Sequence, residues 1–397
     1  MKNVNKFLAI LLLMTGCGGK QQTGDAFITV DVTKNYPKKE LILQDFMDVE
    51  YIALETGGEF YCQGVVMAVG KEIILVKNFV NDGDIFVFDR HGKGLRKINR
   101  IGKGGEEYAA IIRIILDEDN DEMFVNDYVQ NKIVVYDLYG KFKRSFRYTE
   151  GARYTEVQNY DRDHLICYDS SLDVKDGQEK GSQTFFAIIS KQDGSITRKI
   201  DIPFEKIKSQ RLILRDVANN RTYSSHYNND YPIIPYHGDW ILVELSSDTL
   251  YKYLPDDHLT PFMARTPSIQ SMNPEVFLFP GILTDRYYFM EIVKKEYDFE
   301  ANSGFPCTNL VYDRQEKRIF EYNLYNDDYS NKKAVITMAR YVNDEIATLQ
   351  RINADDLVDD YKKGKLKGKL KEIAAGLDEE SNPVIVLVKH KKQIIND

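Results

Sequence analysis

The chain has 397 residues with a formal net charge of −8 at pH 7, and no basic stripe dominates it, which excludes nucleic acid as an expected partner. Its length would ordinarily indicate two or three domains, unless internal repeats build one larger unit. The aromatic residues are 26 Tyr and 20 Phe against a single Trp, and such rings favour the half-buried surfaces of β-sheets.

The first predicted element is a secretory signal peptide at residues 1–16. It combines a start with two lysines, an apolar run at residues 7–14 that is shorter than the roughly 20 residues of a membrane-spanning helix, and small residues before Cys17. A site that ends in Cys resembles a bacterial lipoprotein signal, and this resemblance implies that Cys17 carries lipid. An ordinary signal or an anchor helix is the alternative. The small, polar residues 17–25 predict a flexible tether.

An internal repeat follows. The stretches "IFVFDRHGKGLRKI" (residues 85–98) and "IVVYDLYGKFKRSF" (residues 133–146) lie 48 positions apart. Each predicts two strands joined by an Asp-x-x-Gly turn, in which Asp caps the turn and Gly adopts positive φ. A period near 48 favours a β-propeller, whose blades hold four strands. Weaker echoes begin near residues 185, 239, 309 and 382, and their irregular spacing predicts few blades with inserted loops.

The chain ends are predicted to close this ring, because an open propeller would leave two unpaired strand edges. The alternating segment 25–32 is predicted to complete the last blade beside "NPVIVLV" (residues 382–388). One segment departs from the β pattern. Residues 353–377 carry an apolar stripe at helical spacing, with Asn353 as a possible cap and a break near Gly364, and they predict a helical insertion.

Chemistry-bearing motifs are few. Cys62, Cys167 and Cys307 form neither a disulfide framework nor a zinc motif, so free thiols or one bridge remain open. Asp117, Asp119 and Asp121 alternate as in calcium loops, but the Gly and Glu that an EF-hand requires are missing. The sequence contains no Walker loop or Gly-x-Ser-x-Gly motif, and no dinucleotide is expected. We therefore predict no cofactor, with Ca²⁺ as the alternative.

A Tyr-rich stretch at residues 223–240 is the most ligand-like part of the sequence. Its rings and polar rims suit a sugar or a peptide, although a long Tyr-rich loop that only packs on a blade explains them more simply. The candidate ligand-binding residues are Tyr223, His226, Tyr227, Tyr231, Tyr236 and Trp240.

The repeat also resembles known propellers. "MFVNDYVQNKIVVYDLYGKF" (residues 123–142) resembles the NHL-type repeat, and "MDVEYIALET" (47–56), "IGKGGEEY" (101–108) and "SSDTLYKY" (246–253) resemble six-bladed β-propeller lipoproteins of Bacteroides-type bacteria with NHL- or TolB-like repeats. The resemblance implies an all-β, six-bladed propeller over residues 26–397, with four-stranded antiparallel blades and an N-terminal strand that closes the last blade. It also implies export, but no uniform activity.

The predicted function is a lipid-anchored, extracytoplasmic module that binds a peptide, glycan or envelope protein through its top face, where the blade loops converge, and its central channel. The alternative is a metal-dependent hydrolase similar to calcium-dependent lactonases, which requires Asn78, Asn126 and Asp127 to converge on a channel-bound Ca²⁺. A purely structural partner of an outer-membrane complex predicts an exposed apolar patch on one face. The absence of an acidic run after Cys17 favours the periplasmic side of the outer membrane over the cell surface.

Overall fold

The computed structural model describes residues 27–173, 175–179, 184–216, 220–227, 231–338 and 340–391. Six sheets stand around one axis as the blades of a β-propeller. Blades 1 to 3 each hold four antiparallel strands in chain order from the axis outward. The strands are Val65–Val69, Ile73–Lys77, Asp84–Asp89 and Gly94–Asn99 in blade 1, Arg113–Asp117, Glu122–Asp127, Lys132–Asp137 and Phe142–Arg147 in blade 2, and Tyr154–Asn159, His164–Asp169, Phe186–Ser190 and Ile196–Ile200 in blade 3.

Blades 4 and 5 have the same order but carry additional strands. Blade 4 contains Ile233–Tyr236, Asp239–Leu242, Thr249–Tyr253 and Leu259–Thr266, and blade 5 contains Val276–Leu283, Tyr287–Lys294, Cys307–Asp313 and Arg318–Asn326, with Lys333–Ala334 beside the last. Two hairpins lie outside the blades, Leu212–Asp216 with Arg221–Ser225 and Tyr297–Asp298 with Ser303–Gly304. Short 3₁₀ turns occur at Leu43–Asp45, Glu118–Asn120, Ser170–Leu172 and Ile269–Ser271.

The Asp-x-x-Gly turns predicted from the repeat are confirmed. The Asp89 carboxylate accepts hydrogen bonds from the backbone N–H groups of His91 and Lys93, at 2.8 and 2.9 Å. Asp137 does the same in blade 2. The turn glycines have φ of 85° at Gly92 and 83° at Gly140, a region where only glycine is unstrained. The repeat therefore encodes the hairpin that ends each of these two blades.

The last blade is closed by an N-terminal strand, as predicted, but not by the predicted segment. Met47–Ala53 pairs antiparallel with Val384–His390, which in turn pairs with Ile346–Ile352. The assignment of residues 25–32 to this place is wrong. Ile28–Asp31 instead adds a parallel strand to the outer edge of blade 4, and Lys38–Ile42 does so on blade 5. The N-terminal segment thus runs along the outside of two blades before it closes the third.

The axial position of blade 6 is taken by residues 336–338 and 340–343, which do not form a regular strand. The hydroxyl of Thr348 donates to the Arg340 carbonyl at 3.0 Å, and the Gln350 amide donates to the Ile336 carbonyl at 2.7 Å. These contacts hold the segment beside Ile346–Ile352. Blade 6 therefore consists of three chain segments from the C-terminal part and one strand from the N-terminal part.

The predicted helical insertion is confirmed as two helices, Ala354–Lys362 and Gly368–Ala374, which are separated by Gly364 at φ 67°. Leu357 and Leu370 are buried against Tyr51 and neighbouring residues of blade 6. The lysines of the insertion largely pair with nearby acids, such as Lys362 with Glu379, Lys365 with Asp360 and Lys367 with Asp327. The helices thus cover one face of the closing blade.

The cysteines in the described part of the chain are free thiols, so the alternative of one bridge is not what the structure has. Cys167 is fully buried in blade 3, and burial raises its pKa well above the usual value. Burial also raises the pKa of Cys62 and of Cys307 to about 11. A thiol with a raised pKa is mostly protonated at neutral pH, so none of the three is an activated nucleophile. Cys17 and residues 1–26 as a whole lie outside the described residues.

Candidate functional site

A cavity of about 400 Å³ lies on the propeller axis. Five blades contribute to its wall, mainly through the ends of their axial strands. The lining segments are residues 67–71 of blade 1, 114–119 of blade 2, 157–159 of blade 3, Pro235 and Trp240 of blade 4, and 340–346 of blade 6. The cavity opens toward the first turns of blades 1 to 4 and 6, at residues 70–72, 118–121, 160–163, 237–238 and 343–345. We call this end of the propeller the turn face. It lies opposite to the top face, which carries the connections between successive blades.

Two aromatic rings form one side of the cavity. Trp240, the single Trp of the chain, stacks on Tyr160 with ring centroids 6.1 Å apart. Tyr341 is buried, and its hydroxyl donates to the Pro280 carbonyl at 3.0 Å, which fixes the ring between blades 5 and 6. The cavity therefore offers rigid apolar surface beside polar groups, the composition that is typical of small-molecule sites.

The floor of the cavity is charged. Arg340 Nη1 donates to the Met67 carbonyl at 2.6 Å, and burial together with the neighbouring Arg113 lowers the pKa of Arg340 to about 10. At neutral pH this guanidinium is still protonated. Arg113 itself is paired with the buried carboxylate of Glu156, with 2.9 Å between Nε and Oε2. Arg340 is thus the guanidinium that lines the cavity, and the Arg113–Glu156 pair lies near it without lining the cavity.

The acidic side chains at the mouth hold blades together. Asp117 pairs with Lys191 of blade 3 at 2.6 Å, and both side chains are at most 3% exposed. Glu118 accepts hydrogen bonds from the backbone N–H groups of Lys71, Glu72 and Ile73 in blade 1. The Asp117–Asp121 segment, for which the sequence left bound Ca²⁺ as an alternative to a polar turn, is a turn in which the carboxylates of Asp117, Glu118 and Asp119 have protein partners. Asp119 pairs with Lys71 at 2.8 Å, and Asp121 adopts φ 52°.

The three candidate metal ligands do not meet on the axis. Asn78 bonds Asp82 and the Gln63 backbone N–H in a loop of blade 1. Asn126 is buried between blades 2 and 3, where its amide donates to the Tyr154 carbonyl at 2.9 Å. Asp127 accepts from the Ala109 N–H at 2.6 Å. Within the described ranges, no three His, Cys, Asp or Glu side chains are grouped so that they could hold a metal ion.

The six aromatic and histidine candidates are also dispersed. Trp240 lines the cavity, and Tyr231 packs edge-on against Tyr341 with 5.9 Å between ring centroids. Tyr236 is buried in the core beside Tyr288, with 2.6 Å between the two hydroxyl oxygens.

The other three candidates lie above blades 4 and 5, away from the axial cavity. Tyr223 contacts Phe299, Tyr227 bonds Glu291, and His226 borders a small separate pocket. The structure therefore brings only Trp240 and, indirectly, Tyr231 to the axial cavity.

Sequence reasoning missed the polar part of the cavity. Arg340 follows the mostly apolar stretch "AVITMA", and Gln158 and Asn159 end the axial strand of blade 3. A charged residue inside an apolar run was the only available signal for Arg340. The spacing of these residues from Trp240 is set by the ring of blades and has no counterpart along the chain.

The top face carries a patch of exposed apolar side chains. Its members come from blades 1, 2 and 6 and are between 41% and 64% exposed: Tyr61, Phe79, Val80, Ile101, Val129 and Ile336. Arg351 lies over the Phe79 ring at 4.5 Å and donates to the Gln63 carbonyl at 2.7 Å. We call these six residues the top-face patch. An exposed apolar surface is the feature expected of a face that docks another protein.

None of the helices in the described residues has the length and apolar character needed to cross a bilayer.

Comparison with known proteins supports the architecture. Residues 19–348 match the model of a protein family, DUF5128, that is described as a 6-bladed beta-propeller. No curated protein matches the chain. Among solved structures, a protein of Bacteroides fragilis that is named as exported is similar at 15% identity and a TM-score of 0.56, over 89% of this chain and 100% of that one.

A member of the DUF4221 family from Bacteroides vulgatus is similar at 11% identity and a TM-score of 0.46, over 88% of this chain and 100% of that one. At such identities the similarity shows the fold alone. The family match covers most of the chain, and its description agrees with the six blades of the structure. The chain belongs to the DUF5128 family of six-bladed β-propellers.

Proposed function

We propose that this propeller is an extracytoplasmic, lipid-anchored module that binds a small polar ligand in its axial cavity. The binding site differs from the expected top face, because the cavity opens on the turn face. The signal peptide predicted at residues 1–16 and the similar protein that is named as exported support a place outside the cytoplasm. Lipid on Cys17 would hold the module at a membrane, on the periplasmic side of the outer membrane.

The cavity is the observation that carries the binding function. Its volume of about 400 Å³ lies within the range of roughly 300–1,000 Å³ that is typical of small-molecule sites. Trp240, Tyr341 and the charged Arg340 all line it, and the surrounding blades fix their positions. Such a preformed site binds without the entropic cost of ordering its own loops.

The binding function predicts that Asn159→Phe abolishes ligand binding. Asn159 lines the cavity mouth and is exposed, so a larger ring would occlude the opening without disturbing the core. Binding is followed by tryptophan fluorescence. Trp240 is the single tryptophan of the sequence and lines the site, so its emission can be excited selectively and reports on the cavity. Neutral and acidic sugars and short peptides are titrated into the soluble chain. Lys199→Phe, on the exposed outer strand of blade 3, is the control and should bind as the wild type does.

The anchor predicts that Cys17→Ala changes the distribution of the protein in cells. Without lipid, the variant lacks the proposed anchor, so a larger share of it is expected in the soluble periplasmic fraction. Fractionation of cells that express wild type or variant measures this. Retention of the variant in the membrane pellet would contradict the lipid anchor and favour an uncleaved anchor helix.

The top-face patch favours a second candidate function, the docking of another envelope protein. Phe79→Asp combined with Ile336→Asp places charges on an exposed apolar surface, so the fold should be unchanged while a docked partner is lost. Quantitative crosslinking in intact cells compares this variant with Tyr139→Asp, which changes an exposed ring away from the patch. An unchanged set of crosslinks would contradict docking at this surface.

A further inference from the structure

Arg340 is the feature of the cavity that selects a ligand class. Its Nη1 atom donates to the Met67 carbonyl, and its other N–H groups make no hydrogen bond to any described residue. No carboxylate of the described residues forms an ion pair with it. The neighbouring Arg113, which does not line the cavity, is paired with Glu156 at 2.9 Å, and the Glu156 carboxylate also favours the charged form of Arg340. Arg340 therefore retains donors that border the cavity and are not hydrogen-bonded to any described residue.

Arg340 is partly buried, and its acidic neighbour Glu156 is bonded to Arg113, so a ligand anion would pair with the Arg340 donors that border the cavity. The fork of N–H donors on a guanidinium matches the two oxygens of a carboxylate better than it matches a single acceptor. The pKa of Arg340, although lowered to about 10, leaves the group charged at neutral pH. Charge and geometry at the floor thus both favour a planar anion.

The mouth of the cavity carries carboxylates as well as the cations Lys71 and Arg90. Asp344 and Glu345 line it together with Asp119, while Lys71 is already paired with Asp119 and Lys389 lies 3.5 Å from Glu345. These carboxylates lie near the surface, where they accept hydrogen bonds from hydroxyl or ammonium groups. Trp240, which is only partly buried, offers an aromatic ring to the body of a ligand. The polarity of the cavity therefore changes along the axis.

We propose that the axial cavity binds a carboxylate-bearing ligand that is rich in hydrogen-bond donors at its other end, with the carboxylate on Arg340. This inference rests on the proposed binding function and names its ligand class. Two sources supply this chemistry, a sugar acid with its hydroxyl groups and a short peptide with a free C-terminus and ammonium group.

The test compares acids with isosteric neutral analogues on the wild-type chain. Digalacturonate is titrated against its methyl ester, and the peptide Ala-Ala-Phe against its C-terminal amide, with Trp240 fluorescence as the readout. At least one acid is expected to bind about 10- to 100-fold more tightly than its neutral partner, the range expected for hydrogen bonds to a charged group. The pair that shows the difference identifies the source.

Arg340→Gln should abolish the preference for the acid, whereas Arg351→Gln, which removes a guanidinium from the top face, should leave it unchanged. If Arg340→Gln fails to fold, the comparison of acid with neutral analogue on the wild-type chain still tests whether the site prefers a carboxylate. Equal binding of acid and neutral analogue, blocked by Asn159→Phe, would overturn this inference and keep the proposed function. Binding that Asn159→Phe does not affect would overturn both, and failure of both acids to bind would overturn the carboxylate assignment.

Discussion

Lys191→Met is expected to lower the free energy of unfolding by about 3–5 kcal/mol, because it leaves the Asp117 carboxylate buried without its counter-ion. Lys191 Nζ lies 2.6 Å from Asp117 Oδ2 and also donates to the carbonyls of Asp161 and Arg162. Methionine keeps most of the side-chain volume of lysine. The decrease in the free energy of unfolding therefore reports the loss of the Lys191 charge and of its hydrogen bonds. Urea unfolding followed by circular dichroism gives the difference.

Lys71→Met is the matched control. It removes a pair of similar length, 2.8 Å to Asp119, but with side chains that are 74% and 80% exposed. Exposed pairs contribute only about 0–1 kcal/mol, so the control should be nearly as stable as the wild type. The double variant Asp117→Asn with Lys191→Met should recover part of the loss, since no buried charge remains. If Lys191→Met and Lys71→Met lowered the free energy of unfolding equally, a structural role for the buried pair would be contradicted.

A soluble chain that begins at residue 54 is expected to lose cooperative unfolding, because it lacks the strand Met47–Ala53 that closes the ring. Within that strand Met47, Tyr51 and Ile52 are buried, and each such side chain contributes about 1.5–3 kcal/mol. The sum approaches the whole stability of a typical domain, roughly 5–15 kcal/mol. The strands at the outer edges of blades 4 and 5 are lost as well. Thermal and urea unfolding are compared with those of a chain that begins at residue 27.

Complementation distinguishes closure from general damage. A peptide of residues 27–53, added to the shortened chain, should restore the native circular dichroism by supplying the missing strands. The same peptide with Ile52→Asp places a charge against the interface of blades 6 and 1 and should not restore it. The peptide with Asp48→Ala, which changes an exposed position, should act as the unmodified peptide does. Cooperative unfolding of the shortened chain alone would show that the ring does not need this strand.

The fold was largely predictable because each blade of a propeller is formed by residues that are close together in the sequence. Asp89 and Asp137 with their turn glycines mark equivalent hairpins, and the period between them identifies the blade. The assignment of the closing strand failed for a physical reason. Residues 28–31 and 47–53 both read as strands, and alternation alone cannot tell a strand that adds to the outer edge of blade 4 from one that completes blade 6.

The site was much less predictable. Proximity of Tyr223, His226 and Tyr227 to Trp240 along the chain suggested one patch, yet the insertion between blades 3 and 4 spreads them over different surfaces. Asn126 and Asp127 looked like channel ligands, but they are used to bond neighbouring blades and loops. Buried polar groups are costly unless hydrogen-bonded, so such residues in a repeat often serve the scaffold.

By itself, the amino-acid sequence determined the blade, its turns, the helical insertion and the prediction of an exported chain, because each depends on residues that are close together in the chain. The tertiary structure alone decided which strand closes the ring, which charges are buried and where the cavity lies. Arg340, Trp240 and Asn159 meet only after the ring has closed, since each is carried by a different blade. A site on the axis is a property of the whole ring, and no local pattern can encode the distance between its members.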